Sequence, residues 1–183
     1  MLNQSNLRPW QHKAVDILTS NPYQLLGAQP GSGKTITCLT ALASTNKRAL
    51  LVAPSIILNT VWQQEALAWV HTKNLSFDFA HKLSGHDREN LWFMGKGDIA
   101  TCTPDTLAKF LDAVNRQSVM PVGRIVVDES QFFKNATATR TAALHELAKY
   151  VPTWLLSGTP SPNGAIDCWS PGRILSQQGG FWQ

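Results

Sequence analysis

A chain of 183 residues with 43% hydrophobic and 15% charged side chains has room for one domain with a sizeable core, and is neither a disordered nor a coiled-coil protein. The net charge of +4 permits a polyanionic partner without demanding one, and no apolar run reaches the roughly 18 residues of a membrane span. Cys38, Cys102 and Cys168 are odd in number and lack a CxxC spacing, which argues against a disulfide framework and a zinc site. With the polar N-terminus MLNQSNLRPWQHK, this suggests a reducing cytoplasm.

Residues 23–28 (YQLLGA) form a short apolar run that ends in a glycine-rich loop, and 34–44 read as a helix. Residues 48–54 (RALLVAP) read as a buried strand, followed by a helical stretch from about 57 to 70. A strand is expected over 75–80 and a short helix over about 87–94. Next come a strand at 97–104 (GDIATCTP), a helix at 105–115, a strand at 123–128 (GRIVVD), a helix over about 139–150 and a last strand at 153–159 (TWLLSGT). Near-continuous Val/Ile/Leu strands separated by helices predict an α/β fold, with a mostly parallel sheet covered on both faces. The paired Gln and paired Gly after position 176 read as a frayed tail.

Residues 28–35 read AQPGSGKT, between a predicted strand and a predicted helix. That is the context of a Walker A phosphate loop. Gly31 and Gly33 let the backbone curl so that its N–H groups converge, Ser32 between them is counted with the cofactor-binding residues, and the helix N-terminus adds its positive dipole end. Lys34 is expected to reach β- and γ-phosphates, and the Thr35 hydroxyl to hold Mg²⁺. Residues 125–131 (IVVDESQ) end a hydrophobic strand in two carboxylates, at the sheet edge where the phosphate loop lies. Asp128 is the expected Mg²⁺ ligand. Glu129 is the expected general base that orients and deprotonates the attacking water.

Four further segments stand with these two in a fixed order: LRPWQ at 7–11, LVAPSIIL with VWQQE over 51–65, TCTPDTL at 101–107, and LSGTPSPNG at 156–164 with Asp167 and Trp169. Together they resemble the first motor domain of superfamily-two helicases, especially the Swi/Snf-like and phage DNA helicase branch. The acidic segment VDESQFFKN also carries that branch's Lys-Asn. Swi/Snf remodelers usually have a DEMGLGKT-type loop, so AQPGSGKT favours a phage or bacterial enzyme over a chromatin remodeler.

The resemblance implies a three-layer RecA-like P-loop NTPase domain over residues 1–175, with 176–183 a flexible tail. It implies ATP and Mg²⁺ as cofactors, and DNA, bound independently of sequence, as partner. Arg8 and Gln11 are expected to recognise adenine, Gln11 because its amide both donates and accepts. Pro54, Ser55, Thr101 and Thr103 lie at or just past strand ends and are expected to contact the sugar–phosphate backbone. Gln131, Ser157 and Thr159 are expected to couple the acidic segment to the last strand and sense the γ-phosphate.

Motors of this type hydrolyse ATP between two RecA-like domains, the second supplying arginine fingers. Too few residues follow Thr159 for a second domain. It is expected to be absent from this chain, supplied in trans or lost by truncation, and hydrolysis by the chain alone is expected to be very weak. The alternative is a non-enzymatic docking module that keeps the fold to bind nucleic acid or a protein. His71, His81, His86 and His145 form no ligand pattern. Phe132 and Phe133 are read as core in preference to a partner surface, and Lys134, Arg140 and Lys149 as a solvated face.

Overall fold

The computed structural model describes residues 1–135, 137–158 and 169–176. Strands β1 (Gln24–Gly27), β2 (Ala49–Val52), β3 (Phe77–Asp78), β4 (Ile99–Cys102), β5 (Arg124–Val127) and β6 (Thr153–Ser157) form one sheet in the order β1-β6-β5-β2-β4-β3. Every adjacent pair is parallel. Parallel pairing needs a crossover between strands, and helices supply it. The crossovers cover both faces, so every residue of β2, β4, β5 and β6 is buried.

Alternate residues of a strand enter different cores. Leu51 joins Leu39, Leu58, Trp62 and Trp154 on the face covered by α1 (Pro9–Ser20), α2 (Lys34–Ala43), α3 (Ser55–Thr60) and α4 (Trp62–Ala68). Leu50 and Val52 join Trp92, Phe110, Leu144 and Ile174 on the other face. That face is covered by α5 (Gly85–Met94), α6 (Leu107–Gln117), α7 (Thr139–Ala148) and α8 (Trp169–Leu175). The three layers match the expected architecture. Among the described residues no helix is long and apolar enough to cross a membrane.

The helical stretch expected over 57–70 begins earlier and is two helices that meet at Val61, whose φ of −111° is far from the regular helical value while its ψ of −60° stays on the right-handed side. The strand expected over 75–80 pairs only at Phe77 and Asp78, because Ala80–Lys82 turn as a 3-10 helix. Asp78 fastens that short edge strand: its Oδ2 accepts from Arg48 Nη2 at 2.6 Å and from the Gly97 amide at 2.9 Å. The element reading from sequence begins at residue 23. It omits α1, although Pro9 stands at its first position and Ala14, Val15 and Leu18 give it a buried stripe. It omits α8 as well.

Candidate functional site

Six parallel strands point their carboxyl ends at one edge, and the segments leaving that edge hold most of the residues singled out from sequence. The loop after β1 turns through Gly31 and Gly33, both at positive φ (73° and 93°), and enters α2 at Lys34. Gly33 is required twice. Its backbone lies where side chains rarely go, and a Cβ there would stand 2.5 Å from Gln11 Nε2. Lys34 Nζ donates to the carbonyls of Ala28 (2.7 Å) and Gln29 (3.2 Å), so the ammonium folds back into its own loop. Ser32 Oγ is buried with no hydrogen-bond partner among the described residues. A buried hydroxyl without a partner is costly, and it fits a loop built to receive an oxygen-rich ligand. The loop is tied to β6 by the Ala28 amide, which donates to the Ser157 carbonyl at 3.1 Å.

Gln11 connects this loop to the start of α1. It is buried. Its Oε1 accepts from the Arg8 amide at 2.7 Å, and its Nε2 donates to the Gly33 carbonyl at 3.2 Å. Both ends of the amide expected to read adenine are therefore engaged within the chain, at the phosphate loop. The Arg8 side chain is exposed beside it.

Asp128 and Glu129 follow β5. Asp128 is buried: its Oδ2 accepts from the indole Nε1 of Trp62 at 2.9 Å, and its Oδ1 from the Glu129 amide at 3.0 Å. Burial pushes its carboxyl above the usual carboxylate range, against the Trp62 hydrogen bond, while the nearby Lys34 charge acts in the opposite sense to burial. Glu129 is half-buried and left-handed, with φ and ψ both 56°. Its Oε2 accepts from Gln131 Nε2 at 2.6 Å, and Gln131 Oε1 accepts from the Ser157 hydroxyl at 3.2 Å. The structure thus brings together Glu129, Gln131 and Ser157. Thr159 lies outside the described residues.

The residues expected at a nucleic-acid track divide. Ser55 is exposed, and Pro54 and Thr103 are half-buried, at the carboxyl edge. Thr101 is a correction. It is fully buried, and its hydroxyl donates to the Asp78 carbonyl (3.1 Å) and meets His81 Nδ1 at 2.8 Å. It presents nothing to a ligand, because a strand residue pointing into a covered face cannot be a surface contact. His81, read as bland, is its partner, and His81 Nε2 also meets Asn59 Oδ1 on α3 at 3.1 Å. Phe133 is in the core as expected, whereas Phe132 is 42% exposed. Trp62 carries no role in the sequence reading, which treats VWQQE as a motif and assigns no contact to its indole, yet the structure places that indole on Asp128.

A three-layer parallel α/β domain with a glycine loop and an acidic pair at one sheet edge is of the RecA-like class. This chain belongs to the SNF2-related domain family, whose profile matches residues 10–175. It is 32% identical over 184 aligned positions to protein p41 of Acyrthosiphon pisum secondary endosymbiont phage 1, covering 93% of this chain and 39% of that protein. It is 31% identical over 161 positions to a bovine SWI/SNF-related matrix-associated actin-dependent regulator of chromatin, subfamily A-like protein 1, covering 86% of this chain and 16% of that one. The Sulfolobus solfataricus SWI2/SNF2 ATPase core, solved in complex with dsDNA, superimposes with a TM-score of 0.73 at 23% identity. That match covers 94% of this chain and 36% of the other, and it is a likeness of fold. The chain spans well under two thirds of the length of these relatives.

Proposed function

We propose that residues 1–175 are the nucleotide-binding half of a DNA-dependent ATPase of helicase or translocase type, acting in the cytoplasm of a bacterial or phage-infected cell. One observation carries the reading: a glycine loop with an unpartnered buried Ser32 hydroxyl shares a sheet edge with the Asp128–Glu129 pair. ATP fits that loop through backbone N–H groups, Ser32 and Lys34, whose ammonium exchanges loop carbonyls for phosphate oxygens. Mg²⁺ would be held by Thr35 and Asp128 together with phosphate oxygens and water, as suits an ion that keeps much of its hydration. Bound there, it neutralises charge on the phosphates. Glu129, oriented by Gln131, accepts the proton of the water that attacks the γ-phosphorus, and Ser157 reports through Gln131 to β6. Arg8 and Gln11 border the adenine end. Pro54, Ser55 and Thr103 offer contacts to a sugar–phosphate backbone.

A charge-stabilising arginine in such motors comes from a second RecA-like domain, and without it the rate falls by about 10³–10⁵-fold. Calorimetry with ADP·Mg²⁺ should show binding that Lys34→Ala removes. The chain alone should hydrolyse ATP very slowly, and a cognate second domain with DNA should raise the rate by orders of magnitude. Glu129→Gln should then stop turnover and spare binding. No response to millimolar nucleotide rejects the reading. A reconstituted pair that binds DNA and nucleotide but never turns over would leave a docking module as the better account.

A further inference from the structure

The indole of Trp62 and the carboxylate of Asp128 meet inside the protein from segments 66 residues apart. Trp62 is fully buried in the core that also contains Leu58, Ala66 and Trp154, a packing role that calls for a large ring but not for a polar atom. The distinguishing feature of the indole is its N–H, which can only donate. It is spent on Asp128 Oδ2, while the Glu129 amide holds Oδ1. One N–H on each oxygen fixes the plane of the carboxylate and leaves lone pairs free on both.

The donor stands on a particular element. Trp62 is the first residue of α4, immediately after the break at Val61 that ends α3, and α3 begins at the exposed Ser55 on the sheet edge. The elbow between the two helices is thus hydrogen-bonded directly to Asp128, the first residue past β5.

We propose that Trp62 is a positioning residue for the metal-binding carboxylate. Its N–H sets the orientation in which Asp128 meets Mg²⁺, and it makes the α3–α4 elbow part of the metal site. The inference rests on the nucleotide·Mg²⁺ reading of the site. Outer donors to ligating carboxylates are worth about 10–100-fold in metal affinity, so the loss of this one should be measurable.

The test is calorimetry of the full 183-residue chain with ADP, at varied Mg²⁺ and in chelator. Trp62→Phe keeps a ring and removes the donor. Replacement of the indole by benzothiophene at the same position keeps the bicycle and exchanges only N–H for sulfur, which guards against a folding defect. Both should weaken the Mg²⁺ dependence of ADP binding by about 10-fold, leave metal-free ADP binding unchanged, and have no further effect in an Asp128→Asn background. The indole N–H resonance that Trp62→Phe abolishes should shift when Mg²⁺·ADP is added to the unmodified chain. Unchanged Mg²⁺ dependence in the benzothiophene variant overturns the inference alone, as does a loss that persists beside Asp128→Asn. Absence of Mg²⁺-dependent ADP binding in the unmodified chain overturns the nucleotide reading, and the inference with it.

Discussion

Gln131 Nε2 donates to Glu129 Oε2 across 2.6 Å, and Glu129 receives that bond from a left-handed backbone. A residue with a side chain costs about 1–2 kcal/mol there, so the carboxylate is held at an energetic cost. Gln131→Ala removes both the orienting donor and the link to Ser157. In a reconstituted motor, turnover should fall by about 10-fold or more while ADP affinity barely moves. Equal losses in binding and turnover would contradict a positioning role for Gln131.

Gly33→Ala adds a methyl 2.5 Å from Gln11 Nε2 at a φ of 93°. The left-handed penalty alone is about 1–2 kcal/mol, and the contact adds to it. The melting temperature should drop and the ADP response should vanish. A variant that melts and binds like the parent would show that the loop relaxes freely.

Gln11→Ala tests two roles at once. The amide now seen to bridge Arg8 and Gly33 is buried, so its loss should destabilise the chain by about 1–2 kcal/mol in a denaturant titration. If Gln11 also reads adenine, the parent prefers ATP over GTP and the variant does not. A neutral effect on stability would mean that water replaces both hydrogen bonds.

Asp78 and Arg48 form an ion pair at 2.6 Å, with each side chain only about one-sixth exposed. Arg48 also donates to the carbonyls of Leu91, Trp92 and Gly97. Asp78→Ala removes the counter-charge of a largely buried guanidinium, which keeps its carbonyl acceptors, and releases the Gly97 amide, so the loss should approach about 3 kcal/mol and change little with salt. A loss under about 0.5 kcal/mol, as an exposed pair would give, refutes the anchor.

Burial holds His71, His81 and His145 below the ordinary histidine value of 6.5, with Lys82 and Arg88 adding to the effect at His81 and Arg173 at His145. The unfolded chain therefore takes up these protons first as pH falls. At these three histidines it binds more protons than the native state, so their contribution to stability declines from about pH 6.5 downward until the depressed native values are passed, whereas the raised carboxyl of Asp128 acts with the opposite sign. His145→Gln, which can keep a hydrogen bond to Ser170, should flatten part of that slope in a series of thermal melts. A parent chain whose melting temperature rises on acidification through this window would reverse the sign.

The sheet was legible because β2 and β5 are apolar toward both faces, Leu51 and Val126 entering one core and Leu50, Val52, Ile125 and Val127 the other, and a doubly covered parallel strand has that composition. The acidic pair and glycine loop were legible because few residue types perform those tasks. Less accessible was anything decided by distant contacts. Val61 reads as a helical residue and yet breaks a helix. Thr101 reads as a strand-end hydroxyl and yet spends its oxygen on Asp78 and His81. The Trp62 donor could have been suspected, since an indole N–H inside a core must find an acceptor, but its acceptor, Asp128, stands just past β5, 66 residues away.

Strand β1 sits at one border of the sheet beside β6, and the glycine loop follows its end. During synthesis β1 emerges well before its partner β6, with the other four strands between them in sequence. The central strands can assemble beforehand, whereas closing the long loop that brings Gln24 to Trp154 is entropically expensive and slow. The sheet border that carries the glycine loop should therefore be the last part of these six strands to become native, and a nascent chain halted before β6 should carry an intact glycine sequence with no neighbouring strand to hold it.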